Sequence, residues 1–448
     1  MNEPASTEER SVQKRGKKRR KAAECYHCGS KEHRAKLCPT ACCQICHQPG
    51  HNVAACPNRP KSPVSLGSFQ NMDLDPKDGS RKLQFTYIEL FAGMGGFRVA
   101  LDRLGGRCVF ASEVDRFCIE TYRQNFGDVP AGDITRITTD QIPAHDLLVG
   151  GFPCQPFSTS GSQTGFKDPK GVMFREITRI LKAKQPKGFL LENVRGLLLH
   201  DEGKTLNIVV KELQDCGYSV HHQLLDAVDL LPQERKRLFL AGIRNDIDNA
   251  GKFQFPNVPS LKRGVKDILH SASGMDALTD DNLHSLTLND NQLSKVNAQK
   301  YTQAHPEARF LSDVNQPAKT IQSSYARYMV GSQFVSTELH SPREHTHGEG
   351  SARWRRFSPR EAARLQGFPE SFKLCNDRAY HMIGNAVAPP LIALVAASLL
   401  NFLEIVRLAD HGWSISKQLL IDAVPDDSRK EELQRNLEEA MSRKGRVG

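Results

Sequence analysis

Cys154 stands in the stretch Gly150-Gly151-Phe152-Pro153-Cys154-Gln155-Pro156-Phe157-Ser158, directly after the apolar run Asp146-Leu147-Leu148-Val149. A cysteine at the C-terminal end of a parallel strand occupies the place where open α/β sheets put their chemistry. Proline has a fixed φ, so Pro153 pre-shapes the turn. The thiolate form of such a cysteine is a strong nucleophile. Taken alone, an isolated cysteine is more often a small buried hydrophobe, so the rest of the chain has to decide.

A second constellation lies upstream. Cys25-x2-Cys28-x4-His33-x4-Cys38 and Cys43-x2-Cys46-x4-His51-x4-Cys56 repeat one spacing. Each set offers three thiolates and an imidazole, a closed tetrahedral donor set suited to structural Zn2+. A segment this short has no core of its own, so the metal would supply its folding energy. Cys42 is left over. The two units resemble retroviral-type zinc knuckles, which usually carry Gly before the His. Gly50 matches, whereas Glu32 departs in the first unit. The resemblance implies binding of single-stranded nucleic acid or RNA; use of the knuckles for protein contact stays open.

A third group reads as a ligand cradle. Tyr87-Ile88-Glu89-Leu90-Phe91-Ala92-Gly93-Met94-Gly95-Gly96-Phe97 is a strand, a Gly-rich turn and a helix start. A helix N-terminus offers free N–H groups to an anionic ligand. The spacing Gly93, Gly95, Gly96 is neither the dinucleotide G-x-G-x-x-G nor a P-loop. Tight packing is the alternative use of these glycines. Glu113, about twenty residues on, ends the next strand candidate, where an acid can accept from ribose hydroxyls. Asp133, in Gly132-Asp133-Ile134, could meet an adenine amino group or simply form a turn.

These residues need an α/β scaffold. Strand candidates are 86–91, 108–112, 146–149, 188–191 and 237–242; helix candidates are 96–104, 116–125, 172–182 and 205–216. Such alternation predicts a parallel sheet covered by helices. Residues 260–350 are rich in Asp, Asn, Ser and Gln and lack periodicity, so a looser subdomain or insertion is expected there. Order returns at Ser358-Pro359-Arg360-Glu361, which has the composition of a capping box with Pro in the first turn. The apolar run 391–400 is too short and interrupted for a bilayer and reads as a buried helix. Residues 409–448 read as a peripheral charged helix.

The formal net charge is +10, and Lys14-Arg15-Gly16-Lys17-Lys18-Arg19-Arg20-Lys21 concentrates it. Such a block acts as a nucleic-acid arm or a nuclear import signal. No apolar h-region follows it, so no secretory signal is expected. Seven of the 12 cysteines lie between Cys25 and Cys56, which without a secretory signal points to metal rather than disulfides.

At this point the chain resembles the cytosine-C5 DNA methyltransferases over most of 85–405. The motifs are Phe91-Ala92-Gly93-Met94-Gly95-Gly96, Gly151-Phe152-Pro153-Cys154-Gln155, Glu192-Asn193-Val194 and Gln233-Glu234-Arg235-Lys236-Arg237. Arg364-Leu365-Gln366-Gly367-Phe368-Pro369 and Gly384-Asn385-Ala386-Val387 complete them, in the family's order. The resemblance implies an α/β, Rossmann-like S-adenosylmethionine domain with a smaller inserted target-recognition region. The expected division is a basic tail (1–24), two knuckles (25–38 and 43–56), a linker (57–84) and catalytic segments (85–259 and 351–408). The target-recognition region (260–350) and the C-terminal tail (409–448) complete it.

The resemblance also assigns roles. Carbon 5 of cytosine is too poor a nucleophile to take a methyl group directly. Thiolate addition to carbon 6 makes it enamine-like. Cys154 is the implied nucleophile, and Glu192, as a protonated carboxyl, the implied donor to ring nitrogen 3. Arg237 is implied at the cytosine carbonyl oxygen and Arg235 as its active-site partner, the two pointing the same way on a strand. Cofactor contacts are implied at Phe91, Ala92, Gly93, Gly95, Gly96, Glu113, Val114, Asp133, Ile134, Pro153, Asn385, Ala386 and Val387. Nucleic-acid contacts are implied at Gln155, Ser158 and Thr320, the last in Thr320-Ile321-Gln322-Ser323-Ser324-Tyr325. The target cytosine must leave a double-stranded DNA stack, and 158–171 resembles the family's mobile loop. Knuckles beside a basic tail point to a eukaryotic, nuclear protein. Two alternatives stay open: an RNA cytosine methyltransferase on the same fold, and a catalytically silent nucleic-acid-binding adaptor. Relatives that methylate transfer RNA typically carry Cys-Phe-Thr where this chain has Cys375-Asn376-Asp377.

Overall fold

The computed structural model describes residues 84–153, 171–248, 253–271, 278–329, 331–337, 353–374, 378–405 and 411–444. Both Cys/His sets, the basic block, Cys154, Gln155 and Ser158 lie outside the described residues.

The central sheet is built from β1 (Phe85–Leu90), β2 (Gly106–Ser112), β3 (Leu147–Gly151), β4 (Gly188–Val194), β5 (Tyr218–Asp226) and β6 (Lys236–Arg244). Their order is β2-β1-β3-β4-β6-β5. The first four are parallel, and β6 runs antiparallel to both β4 and β5. The sheet is therefore mixed, not purely parallel as the alternation predicted. Strand β5 carries His221, His222 and Gln223 at the sheet edge, the last two exposed, so its period-2 signal is weak.

Successive residues of β1 enter opposite cores, as the pleat requires. Phe85 and Tyr87 join one apolar cluster; Ile88 and Leu90 join the other. Helices α1 (Gly96–Leu101) and α2 (Arg116–Phe126) cover the first face, α3 (Gly171–Lys184) the second. A short α4 (Gly196–Leu199) and then α5 (Lys204–Gln214) complete the second layer with Leu197, Leu206, Val209 and Leu213.

The 260–350 region has more structure than its composition announces. It contains α6 (Asp280–Leu286), α7 (Asp290–Asn297) and α8 (Lys300–Ala304), then β7 (Phe310–Leu311) and β8 (Phe334–Ser336). The last strand of this small sheet, β9 (Trp354–Arg355), lies beyond residue 350. A small core of Leu288, Val296 and Phe334 holds it together. The polar residues that hid these helices are partly their caps. Thr279 accepts from the Asn282 amide, and Asn289 and Gln292 form a capping box.

The chain returns to the first face through α9 (Pro359–Leu365), α10 (Ala379–Asn385) and α11 (Pro389–Phe402). The capping box of Ser358 and Glu361 is present at α9. Helix α11 packs against α1 and against α12 (His411–Asp422). The apolar stretch 379–402 is long and apolar enough to cross a membrane, yet 83% of its 18-residue apolar window is buried inside the protein. Helix α12 and α13 (Asp427–Lys444) are not peripheral as expected. Leu419, Leu420, Val424, Leu433 and Leu437 belong to the main core.

Candidate active site

The carboxyl ends of β1, β3 and β4 lie side by side, which is where an open α/β sheet forms its ligand crevice. Gly151 ends β3 and pairs with Glu192 in β4. The chain then leaves the sheet through Phe152 and Pro153 toward Cys154. Phe152 is buried, with its ring 5.5 Å from that of Phe174. Its carbonyl accepts from Asn193 Nδ2 at 3.1 Å, while Asn193 Oδ1 accepts from the Val194 amide at 2.9 Å. The backbone is thus held two residues before Cys154. Pro153 itself is exposed.

Glu192 is buried, and burial raises its pKa, because a carboxylate loses its hydration there. Arg237 opposes the shift, with Nε 2.8 Å from Glu192 Oε1. A Cβ placed on Gly151 would lie 3.7 Å from Glu192 Oε2. One carboxylate oxygen therefore meets the arginine and the other lies near the turn that leads to Cys154.

The two arginines diverge. Arg237 lies in β6, opposite Val194 of β4. Arg235 precedes β6, so the expectation of one shared strand face does not hold. Its Nη2 donates to the Gly384 carbonyl at 3.0 Å and to the Ala386 carbonyl, and its Nη1 to the Ile321 carbonyl at 3.4 Å. Gln233, fully buried, donates to the Leu365 carbonyl and accepts from the Ile321 amide, both at 2.9 Å. The sequence reading assigned no role to Gln233 or Asn193. Their partners are backbone groups brought close only by the tertiary fold, and the motifs around them were the only signal.

Thr320 donates its hydroxyl to the Glu234 carbonyl, and Lys319 Nζ lies 2.7 Å from Glu234 Oε1. This segment and the end of β4 line a cleft of about 480 Å³. Arg195, Lys236, Arg237 and Lys319 outnumber the one acid of its wall, Glu234, so the cleft is cationic on balance, and Thr320 lies among them.

The glycine turn after β1 divides its labour. A Cβ on Gly95 would fall 2.3 Å from the Phe126 ring, and one on Gly96 2.6 Å from Val387 Cγ2. Those two glycines serve close packing. Gly93, at φ +55°, faces open space. Its amide donates to Glu113 Oε2 at 2.8 Å. Glu113 Oε1 accepts from the amides of Val114 and Asp115 at 2.7 and 2.8 Å. A carboxylate has about four acceptor sites, so these three amides orient it without exhausting it. Val114 beside it is 68% exposed, unusual for an apolar side chain. Ala92 is buried, and its amide donates to the Ser112 carbonyl at 2.9 Å. Phe91 and Ile134 share an apolar cluster with Phe152.

Asp133 caps a short helical turn by accepting from the Thr135 amide and hydroxyl at 3.1 and 2.7 Å. Asn385 is exposed at the end of α10, whereas Ala386 and Val387 are buried. Among the described residues no cluster of His, Cys, Asp and Glu could hold a metal ion. The expected zinc ligands lie outside them.

The profile of the C-5 cytosine-specific DNA methylase family matches residues 85–401. The Type II methyltransferase M1.ScrFI of Lactococcus lactis subsp. cremoris is 38% identical over 338 residues, covering 74% of this chain and 82% of that protein. M.DsaV of Dactylococcopsis salina is 33% identical, covering 80% and 99% respectively. M.HhaI of Haemophilus parahaemolyticus is 36% identical, covering 70% and 95%. The fold is shared with the S. pombe Dnmt2 methyltransferase, at TM-score 0.53 and 20% identity over 71% of this chain and 98% of that one. The Entamoeba histolytica methyltransferase EhMeth gives a TM-score of 0.55 at 17% identity, again over 71% and 98%. With the α/β architecture and these relatives together, the chain belongs to the C-5 cytosine-specific DNA methylases and is a DNA cytosine-C5 methyltransferase.

Proposed function

We propose that Cys154 is the nucleophile of this reaction, Glu192 its acid and Arg237 the group that orients both acid and base. The observation that carries the assignment is the buried Glu192–Arg237 pair, 2.8 Å apart, beside the Gly151 turn. The Cys154 thiolate adds to carbon 6 of a flipped cytosine, and the ring electrons move toward carbon 5. Burial keeps Glu192 more ready to hold a proton than an exposed carboxyl. It can therefore donate to ring nitrogen 3 and neutralise the charge that addition creates. Once carbon 5 has bonded the methyl group that the cofactor would supply, its proton passes to solvent and the carbon 5–carbon 6 double bond re-forms. The carbon 6–sulfur bond breaks to release the Cys154 thiolate, and the proton on ring nitrogen 3 returns to Glu192.

The hollow at Gly93 fits S-adenosylmethionine, which supplies the electrophilic methyl group when bound. An oriented carboxylate at Glu113 suits a ribose diol, and exposed Val114 suits the edge of an adenine ring. Asp133, Ile134, Asn385, Ala386 and Val387 would complete the pocket. The cationic cleft suits the DNA backbone, with Thr320, Gln155 and Ser158 as contacts.

The repeated Cys/His spacing supports two structural Zn2+ ions in the N-terminal segment, binding single-stranded nucleic acid or RNA. The basic block supports a nuclear location.

The test uses labelled S-adenosylmethionine with duplex DNA, or with structured RNA, containing 5-fluorocytosine. A covalent adduct on DNA that disappears in Cys154→Ser supports the reading. Trapping on RNA alone overturns the substrate, and no trapping on either overturns the mechanism. Glu192→Gln should lower kcat by about 10²- to 10⁴-fold, the usual worth of a general acid. Zinc analysis of the full chain should return two ions per molecule; none would remove the knuckle assignment.

A further inference from the structure

We infer that Arg235 is a positioning residue that locks the cofactor-side turn 384–387 to the target-recognition segment 320–323, rather than a group that touches cytosine. This rests on the reading of those two segments given above. Arg235 is 1% exposed. Its guanidinium donates to three backbone carbonyls on two segments remote from it in sequence: Ile321 on one, Gly384 and Ala386 on the other. Those carbonyls flank the residues placed at the two ligands, Thr320 on the DNA side and Asn385 and Val387 on the cofactor side.

The two segments also touch directly. A Cβ on Gly384 would lie 2.2 Å from the Ser323 amide nitrogen and 2.4 Å from the Gln322 carbonyl carbon. Backbone packs on backbone there, and only glycine permits it. One planar guanidinium beneath this contact reaches both sides at once. An ammonium is a point donor and cannot reproduce that fork. Gln233 reinforces one side by bonding the Ile321 amide. A buried carbonyl left without its donor loses a charge-assisted bond, so removing Arg235 frees both segments together.

The experiment measures S-adenosylhomocysteine affinity by calorimetry on full-length protein without DNA, alongside duplex affinity without cofactor. Arg235→Lys and Arg235→Met should each weaken both by about tenfold or more. At saturating cofactor and DNA, kcat should recover most of its wild-type value while both KM values stay high. Arg237→Lys should show the opposite split: a low kcat with cofactor affinity unchanged. Gly384→Ala attacks the same junction from the other side and should also weaken both affinities. It decides the matter if the Arg235 variants fail to fold. Wild-type affinity for S-adenosylhomocysteine in folded Arg235→Lys or Gly384→Ala overturns the inference and leaves the catalytic reading standing. Failure of the wild-type protein to bind S-adenosylhomocysteine overturns the cofactor reading itself.

Discussion

Glu89 is fully buried in β1, two residues before the cofactor-side turn begins. The Tyr122 hydroxyl donates to its Oε2 at 3.1 Å, and Arg98 donates to that same hydroxyl at 3.2 Å. Arg98 is itself held by Asp102 and Asp128, and Tyr87 donates to Asp102. Burial dominates this balance and pushes the Glu89 carboxyl up to about 8, although Arg98 pulls it down. The folded protein therefore keeps a proton that the unfolded chain releases above its ordinary carboxyl range. Stability from this group is full at low pH and is lost as pH rises through about 8. Glu89→Gln keeps the shape and removes the titration. Denaturant midpoints compared from pH 5 to pH 9 should show wild type losing ground to the variant as pH rises. A constant difference across that range would mean that Glu89 titrates like an exposed carboxyl.

The glycine turn and the α10–α11 connection act as one element. Gly96 lets the start of α1 meet Val387, while Gly93 opens on empty space. The two positions should fail differently. Gly96→Val overpacks against Val387 and should cost about 1–3 kcal/mol in thermal or chemical unfolding. Gly93→Ala meets no atom within 4 Å, so its stability cost is the left-handed strain alone, about 1–2 kcal/mol. Its larger effect should be on S-adenosylhomocysteine affinity, because the methyl group enters the hollow. Unchanged affinity in Gly93→Ala would move the cofactor elsewhere. This division was not legible in the sequence, where three glycines in one turn look alike. Strands β1 to β4 and β6 were legible, because apolar runs end in turns that carry the motifs. Strand β5 was not, since His221, His222 and Gln223 interrupt its pattern at a sheet edge. Helices α6 and α7 were masked by their own polar caps. Glu192 and Arg237 were singled out from their motifs, but only the pairing of β4 with β6 brings them together.

At the scale of the whole molecule, the matched family region ends at residue 401, yet the core does not. Helix α12 lies on α11, and Gly412 sits where a Cβ would be 2.3 Å from that of Ala397. Leu419, Leu420, Leu433 and Leu437 are 4% exposed or less. Each buried leucine contributes about 1.5–3 kcal/mol. Four together are comparable with the whole stability of an ordinary domain, about 5–15 kcal/mol. Polar ties add direction: Arg103 pairs with Asp422 at 2.7 Å, and the Glu370 amide donates to the Asp422 carbonyl at 2.9 Å. Removing residues 411–448 should therefore strip one face of α11 and yield insoluble or molten protein, although every methyltransferase motif is retained. Leu420→Ala is the milder probe and should cost about 2–5 kcal/mol, as cavities in a close-packed core do. It should lower the unfolding midpoint while leaving kcat of the folded protein near wild type, because α12 packs chiefly on α11 and α13 rather than on the turns placed at either ligand. A truncated chain that folds with an unchanged midpoint would show that the family region is self-sufficient and that α12 and α13 merely rest on it.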